Sequence, residues 1–428
     1  MTIVPFALFT STAALQAAPQ VQLSLRQAPR ARAAVSMVKL PFKLPDLPFT
    51  SDDTAELAAA AYDVVIVGAG AAGVGCGMTL TKTFGLDPSR VLLLERGDAI
   101  GESFRRWPAE MRFISPSFNQ QGWTSSFDLN SVAYGTSPAF TLHTQHPSGA
   151  QFADYLAELA EAAKLNVKLS TEVLRVEADG NVYNVHVRTG GAEQPEVTLH
   201  ARYVVWAAGE FQYPRDAPTS LVGSELCQHN SRVRSWAKLP GDDYVIIGGY
   251  ESGCDAAFNL AKAGKQATVL ASTASWNVQN PDPSTEISPY TNARLREVLA
   301  PDFAPRPKLL APLRVLRVEA AAAGGFNVVA TWKAAESVTL TKLRQPIPST
   351  DDVPRAPLGT ELVVHTSQPP VLCTGFQGTI ASAAKELFDF ADDNAKGCLA
   401  GAPLLTKEDE STKAPGVFLV GPTVRHGE

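Results

Sequence analysis

A glycine-rich turn between an apolar strand and a helix of small residues occurs twice in this chain, and it restricts the fold more than any other feature. The first copy is Asp63-Val64-Val65-Ile66-Val67-Gly68-Ala69-Gly70-Ala71-Ala72-Gly73. The second, weaker copy is Tyr244-Val245-Ile246-Ile247-Gly248-Gly249-Tyr250-Glu251-Ser252-Gly253. A continuous apolar run is the pattern of a central parallel strand buried on both faces. Gly68 permits the tight turn into the helix, Gly70 removes a Cβ from the path of a pyrophosphate, and Gly73 lets helix and strand pack closely. The helix N-terminus presents free N–H groups and a partial positive charge to an anion. Two such openings, about 180 residues apart, predict two dinucleotides and hydride transfer between them.

The rest of the pattern fits that frame. A strand over Arg90–Leu94 ends at Glu95, where an acid accepts from ribose hydroxyls. The spacing from Gly68 to Glu95 is longer than usual, and Thr81–Ser89 accounts for it as a small insertion. Ala72 and Arg96 flank this first site as further candidate contacts. A helix is predicted over Gln151–Lys164, a hairpin over Val173–Val187, and a strand pair over Val197–Ala207. The second βαβ unit begins at Asp242. The predicted fold is α/β, with two Rossmann-like dinucleotide-binding domains, the second inserted into the first. The expected boundaries are a leader and linker over 1–51, the first domain over 58–215, the inserted domain over 216–357, and the return of the first domain over 358–428.

Composition removes other classes. The 428 residues carry a net charge of −6 without a basic stripe, which argues against nucleic acid. The five cysteines, at 76, 227, 254, 373 and 398, show neither Cys-x-x-Cys nor zinc-ligand spacing, so no metal site or redox disulfide is expected. Leu57–Leu80 is apolar, but Asp63 and five glycines argue against a membrane span. No Ser-His-Asp set or carboxylate pair suggests hydrolysis. The first acid in the chain is Asp46. Val4–Ala18 is signal-like, and Gln20–Lys43, with Arg26, Arg30, Arg32, Lys39 and Lys43, is transit-like. Together they predict plastid targeting, with a cytoplasmic protein bearing an N-terminal tail as the alternative.

Four further segments carry a resemblance. Gly101-Glu102-Ser103-Phe104-Arg105-Arg106-Trp107-Pro108 resembles the Gly-Gly-x-Trp segment of class B flavin-containing monooxygenases. Met111-Arg112-Phe113-Ile114-Ser115-Pro116 is similar to the Leu-x-Leu-x-Ser/Thr-Pro segment that follows it. Val204-Val205-Trp206-Ala207-Ala208-Gly209 and Val371-Leu372-Cys373-Thr374-Gly375 resemble the two Ala-Thr-Gly linkers. The wider group includes proteins called pyridine nucleotide-disulfide oxidoreductases. The resemblance implies FAD at the first site and NADPH at the second. Hydride then reduces the flavin, and O₂ activated there passes one oxygen to a nitrogen, a sulfur or a carbonyl carbon of a small molecule. It implies Asn119 as the flavin-facing asparagine that steadies activated oxygen, with Arg105, Ser103 and Trp107 at the flavin's edge. Gly209, Gly375 and Gly421 belong to the linkers and the last strand, and Ser252 and Gly253 to the helix that meets the nicotinamide nucleotide.

Several residues depart from that pattern. Tyr250 stands where a middle glycine belongs and crowds the pyrophosphate path. The second nucleotide strand ends at Ala271-Ser272-Thr273 without an acid, which disfavours NAD. Ser272 is expected to bond a 2′-phosphate, although no arginine is adjacent in sequence. His229 comes two residues late for the monooxygenase motif, which leaves it either a nucleotide contact or a histidine satisfied by backbone. Pro422 replaces the acid of Gly-Asp, and the final flavin-facing helix is expected beyond Glu428. The alternatives to a monooxygenase are an NAD(P)H oxidase or reductase of a small acceptor, and a non-catalytic flavin-binding remnant.

Overall fold

The computed structural model describes residues 62–117, 128–218, 220–277, 286–334, 356–378, 380–392, 401–422 and 424. The leader, Asn119 and Cys398 lie outside the described residues. Two sheets dominate, one mixed and one parallel. The first has seven strands: β1 (Tyr62–Val67), β2 (Val91–Leu94), β3 (Asn166–Lys168), β4 (Thr171–Asp179), β5 (Val182–Thr189), β6 (Glu196–Trp206) and a late strand, Val417–Leu419. Their order is β3-β2-β1-β6-β5-β4, with the late strand also on β6.

The run predicted as a strand pair over Val197–Ala207 is one continuous strand. Its first half pairs antiparallel with β5, Glu196 opposite Arg188. Its second half pairs parallel with β1 on one edge and with Val417–Leu419 on the other. Eleven residues are long enough to serve both pairings, so no turn is needed.

Alternation along β1 explains why both faces are covered. Val65 and Val67 enter a core shared with β4–β6 and Ile380–Phe388. Val64 and Ile66 enter the core on the opposite face. Helix α1 (Ala71–Met78) contains three glycines and is a poor helix by propensity, so packing holds it. A Cβ at Gly75 would meet Val132 O at 2.8 Å. The helix continues only as a π-type turn over Thr79–Thr83 and does not reach Phe84 as one α-helix. Helix α2 (Gly149–Ala163) packs Phe152, Leu156 and Leu159 on Val74 and Met78 of α1. Each such fully buried side chain contributes about 1.5–3 kcal/mol.

The second sheet takes β8 (Gln228–His229), β9 (Asp243–Ile247), β10 (Gln266–Leu270), β11 (Lys308–Leu310) and β15 (Val371–Leu372), in the order β11-β10-β9-β15-β8. One face carries α3 (Glu251–Lys262) and α4 (Pro289–Val298), through Ala257, Leu260 and Leu295. The other carries an antiparallel sheet of β12 (Leu313–Ala320), β13 (Phe326–Trp332) and β14 (Glu361–Thr366). The return to the first domain expected at 358 does not match this pairing. β14 bonds to β13, and β15 lies between β9 and β8. Apolar Leu362 and Val364 pack on the second unit's core and keep the chain there past Leu372.

Two short strands, β7 (Tyr213–Pro214) and β16 (Phe376–Gln377), pair antiparallel to each other. They lie just beyond Gly209 and Gly375, so the two linkers leave their sheets as one ribbon. The last strand, Val417–Leu419, is β17. Among the described residues no helix is long and apolar enough to cross a membrane.

Candidate functional site

Parallel pairing gathers the motifs. β1, β2, β6 and β17 end together, so Gly68, Glu95, Ala207–Gly209 and Gly421 emerge at one edge of the first sheet. That edge is where open α/β sheets bind ligands. Gly68 has φ +105°, a backbone region that favours glycine, and an added Cβ would meet Ala207 O at 2.7 Å. A Cβ on Gly73 would strike Gly68 O. At Gly70 a Cβ would meet nothing within 4 Å, which leaves open space in front of the helix. Gly421 closes the other side, 3.4 Å from Ala72 by the same measure.

The second edge repeats this arrangement. Gly248 has φ +111° and abuts Cys373 O, as Gly68 abuts Ala207 O. A Cβ on Gly253 would strike Gly248 O. Tyr250, at φ −93° and ψ −161°, adopts nearly the backbone of Gly70, at −82° and −166°. These negative φ values suit any residue, so the tyrosine costs no backbone strain. Its side chain is 46% exposed and stands at the mouth of the turn.

Capping separates the helices by role. Ser148 and Gln151 form a reciprocal capping box on α2, and Ser288 Oγ accepts from Thr291 N on α4. Neither α1 nor α3 has a side-chain cap, so their first N–H groups remain for a ligand. Glu251 would place an acid beside such an anion. Its carboxylate instead turns to α4, accepting from Ser288 N and from Thr291 Oγ1 at 2.6 Å.

Glu95 stands against the first turn. One carboxylate oxygen accepts from Ala69 N at 2.9 Å and the other from Gly97 N at 2.8 Å. Each oxygen keeps a lone pair for a ribose hydroxyl. Arg96 reaches Tyr213, with its guanidinium 5.7 Å from the ring centre. Arg105 pairs with Asp154 at 2.9 Å and bonds Ile100 O at 3.3 Å. Trp107 packs on Phe104 and Phe113 at 5.4 and 5.1 Å. Ser103 and Ser272 are exposed, each at the rim of its own unit. Gly209 and Gly375, at φ +78° and +84°, start the two linkers.

His229 is fully buried and backbone-bonded. Its Nε2 donates to Gly375 O at 3.0 Å, and its Nδ1 accepts from Ser231 N at 3.2 Å. These partners require the neutral Nε2–H tautomer. Burial lowers its pKa, opposed by the bond to Gly375. The unfolded chain therefore binds the proton more readily, and stability falls as pH drops below about 6.5. Thermal melts from pH 7.5 to 5.5 are expected to show this slope, and His229→Gln is expected to flatten it. An unchanged slope in that variant would refute the assignment.

Sequence reasoning missed the contacts between the two units, since their partners lie far apart in the chain. Glu110 accepts from Ser235 Oγ at 2.5 Å, Trp236 N at 3.0 Å and Ala237 N at 3.3 Å. Burial works to raise its pKa, yet these donors hold it below the usual value. Arg234 donates to Arg106 O at 2.7 Å. His146 stacks on Tyr290 at 3.8 Å. Behind that ring, Arg294 pairs with buried Asp255 at 2.7 Å and lies 4.1 Å from the centre of Phe258.

The described thiols are held in the protonated form by desolvation. Burial pushes Cys76 up to about 11 and Cys227 up to about 12, and raises Cys254 and Cys373 well above the usual thiol value.

A family model described as pyridine nucleotide-disulphide oxidoreductase matches residues 65–307. An uncharacterized oxidoreductase, CzcO, of Bacillus velezensis is 26% identical over 213 residues, 49% of this chain and 54% of that protein. The chain thus spans about half the length of the curated relatives it matches. Among solved structures, the ornithine N-hydroxylase of Kutzneria sp. 744 is similar with a TM-score of 0.58 and 15% identity, over 84% of this chain and 92% of that one. A bacillithiol disulfide reductase of Bacillus cereus gives 0.54 and 18%, over 84% and 90%. At these identities the likeness is one of fold.

Proposed function

Since this chain belongs to the pyridine nucleotide-disulphide oxidoreductase family, we propose that it is an NADPH-dependent flavoprotein monooxygenase of a small nucleophilic substrate. FAD sits at the Gly68 turn and NADPH at the Gly248 turn. The observation that carries this reading is the pair of matched, uncapped helix N-termini, each behind a glycine turn braced by the linker to the other unit. FAD, when bound, supplies hydride acceptance and oxygen activation.

This chain's residues do the positioning. The N-terminus of α1 and the space before Gly70 receive the pyrophosphate, and Glu95 takes the ribose hydroxyls. Gly421 and Ala72 close the pocket. Ser252 and Gly253 present the N-terminus of α3 to the second pyrophosphate. Glu110 and the His146–Tyr290 stack fix one unit against the other, which holds the two cofactor edges in register. Disulfide reduction by the described thiols is disfavoured, because desolvation pushes Cys76, Cys227, Cys254 and Cys373 away from the thiolate. Tyr250 favours a second reading, a flavin-binding protein that takes up nicotinamide nucleotide poorly.

Anaerobic NADPH titration of the purified yellow protein separates them. Loss of the yellow colour, then substrate-dependent suppression of H₂O₂ release when oxygen is admitted, is the expected result. A protein that stays yellow would leave the second reading in its place. Stoichiometric H₂O₂ with amine, sulfide and ketone substrates alike would indicate an oxidase.

A further inference from the structure

The second nucleotide strand lacks an arginine next to Ser272 in sequence, but the fold supplies one from elsewhere. β10 ends at Leu270, and the chain that follows β11 turns back over that end. Ala271 N donates to Leu310 O at 2.9 Å, and Leu313 N donates to Ala271 O at 2.8 Å. Ser272 and Arg314 therefore each lie one residue from a single hydrogen bond. Consecutive Cα atoms are about 3.8 Å apart, so the backbones of Ser272 and Arg314 lie within the length of an extended arginine side chain. Leu313 is buried in the core under β10, which fixes the turn, while Arg314 is exposed. Arg314 has no acid or carbonyl partner among the described residues, unlike Arg317, which bonds Glu361 at 2.9 Å. The backbone of Lys333 joins the same turn, its N–H donating to Pro312 O at 3.2 Å. No acid occurs in 270–277 or 308–316. Among the described residues, the backbone at the end of β10 thus brings together Arg314, Ser272 and Thr273 with no acid between them.

We propose that Arg314, with Ser272, is the anion contact that makes the second site select a 2′-phosphorylated nicotinamide dinucleotide over its unphosphorylated counterpart. The end of this strand is where the adenosine ribose of a dinucleotide lies. An acid there would accept both hydroxyls of NADH, whereas a guanidinium and a hydroxyl pair with a phosphate. Arg314 is a specificity residue, distant from the hydride-transfer end of the cofactor. The inference rests on reading the Gly248 turn as a nicotinamide-nucleotide site.

The test is calorimetric binding of NADP⁺ and NAD⁺ to the purified full chain and to Arg314→Ala and Arg314→Lys. An exposed arginine with no partner among the described residues is expected to be dispensable for folding, and unchanged thermal melts verify that. The native protein is expected to bind NADP⁺ more tightly. Arg314→Ala is expected to weaken NADP⁺ by about tenfold or more, the usual scale of one charge-assisted bond, and to leave NAD⁺ unchanged. Arg314→Lys falls between, and added salt narrows the preference. If NADP⁺ binds tightly and Arg314→Ala changes nothing, the role of Arg314 is overturned and the NADPH reading survives. Equal weakening of both nucleotides would also overturn the selectivity role. If the native chain binds neither, the nucleotide reading and this inference fall together.

Discussion

Gly73→Ala is expected to give a colourless protein, whereas Gly253→Ala gives a yellow protein that NADPH does not bleach. Each substitution adds a single Cβ, and in each case that atom meets the carbonyl oxygen of the glycine that opens the turn. Backbone cannot rotate aside as a side chain can, so the helix must move off its strand. Overpacking of this kind costs about 1–3 kcal/mol, and the displaced helix no longer aims its N–H groups at a pyrophosphate. The two positions are structural counterparts on different sheets, so their effects should separate by cofactor. Flavin absorbance per mole of protein reports the first site, and anaerobic NADPH titration reports the second. Gly70→Ala provides the control. Its added Cβ meets no protein atom, so the melt is expected to hold while flavin affinity falls. A fully flavinated Gly73→Ala protein would rule out the first turn as the FAD site.

Arg294→Met is expected to destabilise the second unit by about 3–5 kcal/mol, the scale for stranding one member of a buried ion pair. Asp255 is buried on α3, and its Oδ1 bonds Arg294 at 2.7 Å. Its other oxygen is buried without a hydrogen-bond partner in the described structure. Burial raises the pKa of Asp255 even though Arg294 opposes the shift. The folded state therefore holds this proton more tightly than the unfolded state. Stability contributed by this group falls as pH rises from about 3.9 through the raised folded value. Removing Arg294 widens that window, so the variant should lose more stability between pH 5 and 7 than the native protein does. Urea melts at both pH values measure the difference. The double variant Asp255→Leu/Arg294→Met should recover most of the loss, since an apolar pair leaves no stranded charge. Equal stability of the single and double variants would show that the pair is not what holds α3 to α4.

The sequence exposed what depends on local chemistry. Both glycine turns, the acid at Glu95 and the hairpin at Gly180 are written in contiguous residues, because each needs only a φ value, a missing Cβ or a strand end. The termini of α2 were legible in part; the capping box at Ser148 and Gln151 starts the helix at Gly149, two residues before its apolar stripe suggested. Pairings across long separations were not legible. Nothing near Glu361 says that it pairs with β13 rather than with the first sheet. Nothing near Leu313 says that a turn bonds its backbone to Ala271. Trp107 illustrates a further limit. A motif implied a flavin neighbour, and the structure adds that one side of its ring packs on Phe104 and Phe113. Motif position assigns a residue to a neighbourhood, and side-chain direction depends on what fills the space behind it.

β17 has a consequence for the order of assembly. Val417 joins Val204, a partner made more than two hundred residues earlier. The hairpin of β4 and β5 and the whole second unit close over shorter separations, and local contacts form sooner than distant ones. During synthesis the second unit is complete before the strand that finishes the first sheet has left the ribosome. Until then the edge of β6 beyond Ala201 has an open side, and Gly421 has not reached Ala72. The Gly68 turn is thus the first ligand-binding element to be translated and the last to be finished, so flavin capture belongs to the closing stage of folding.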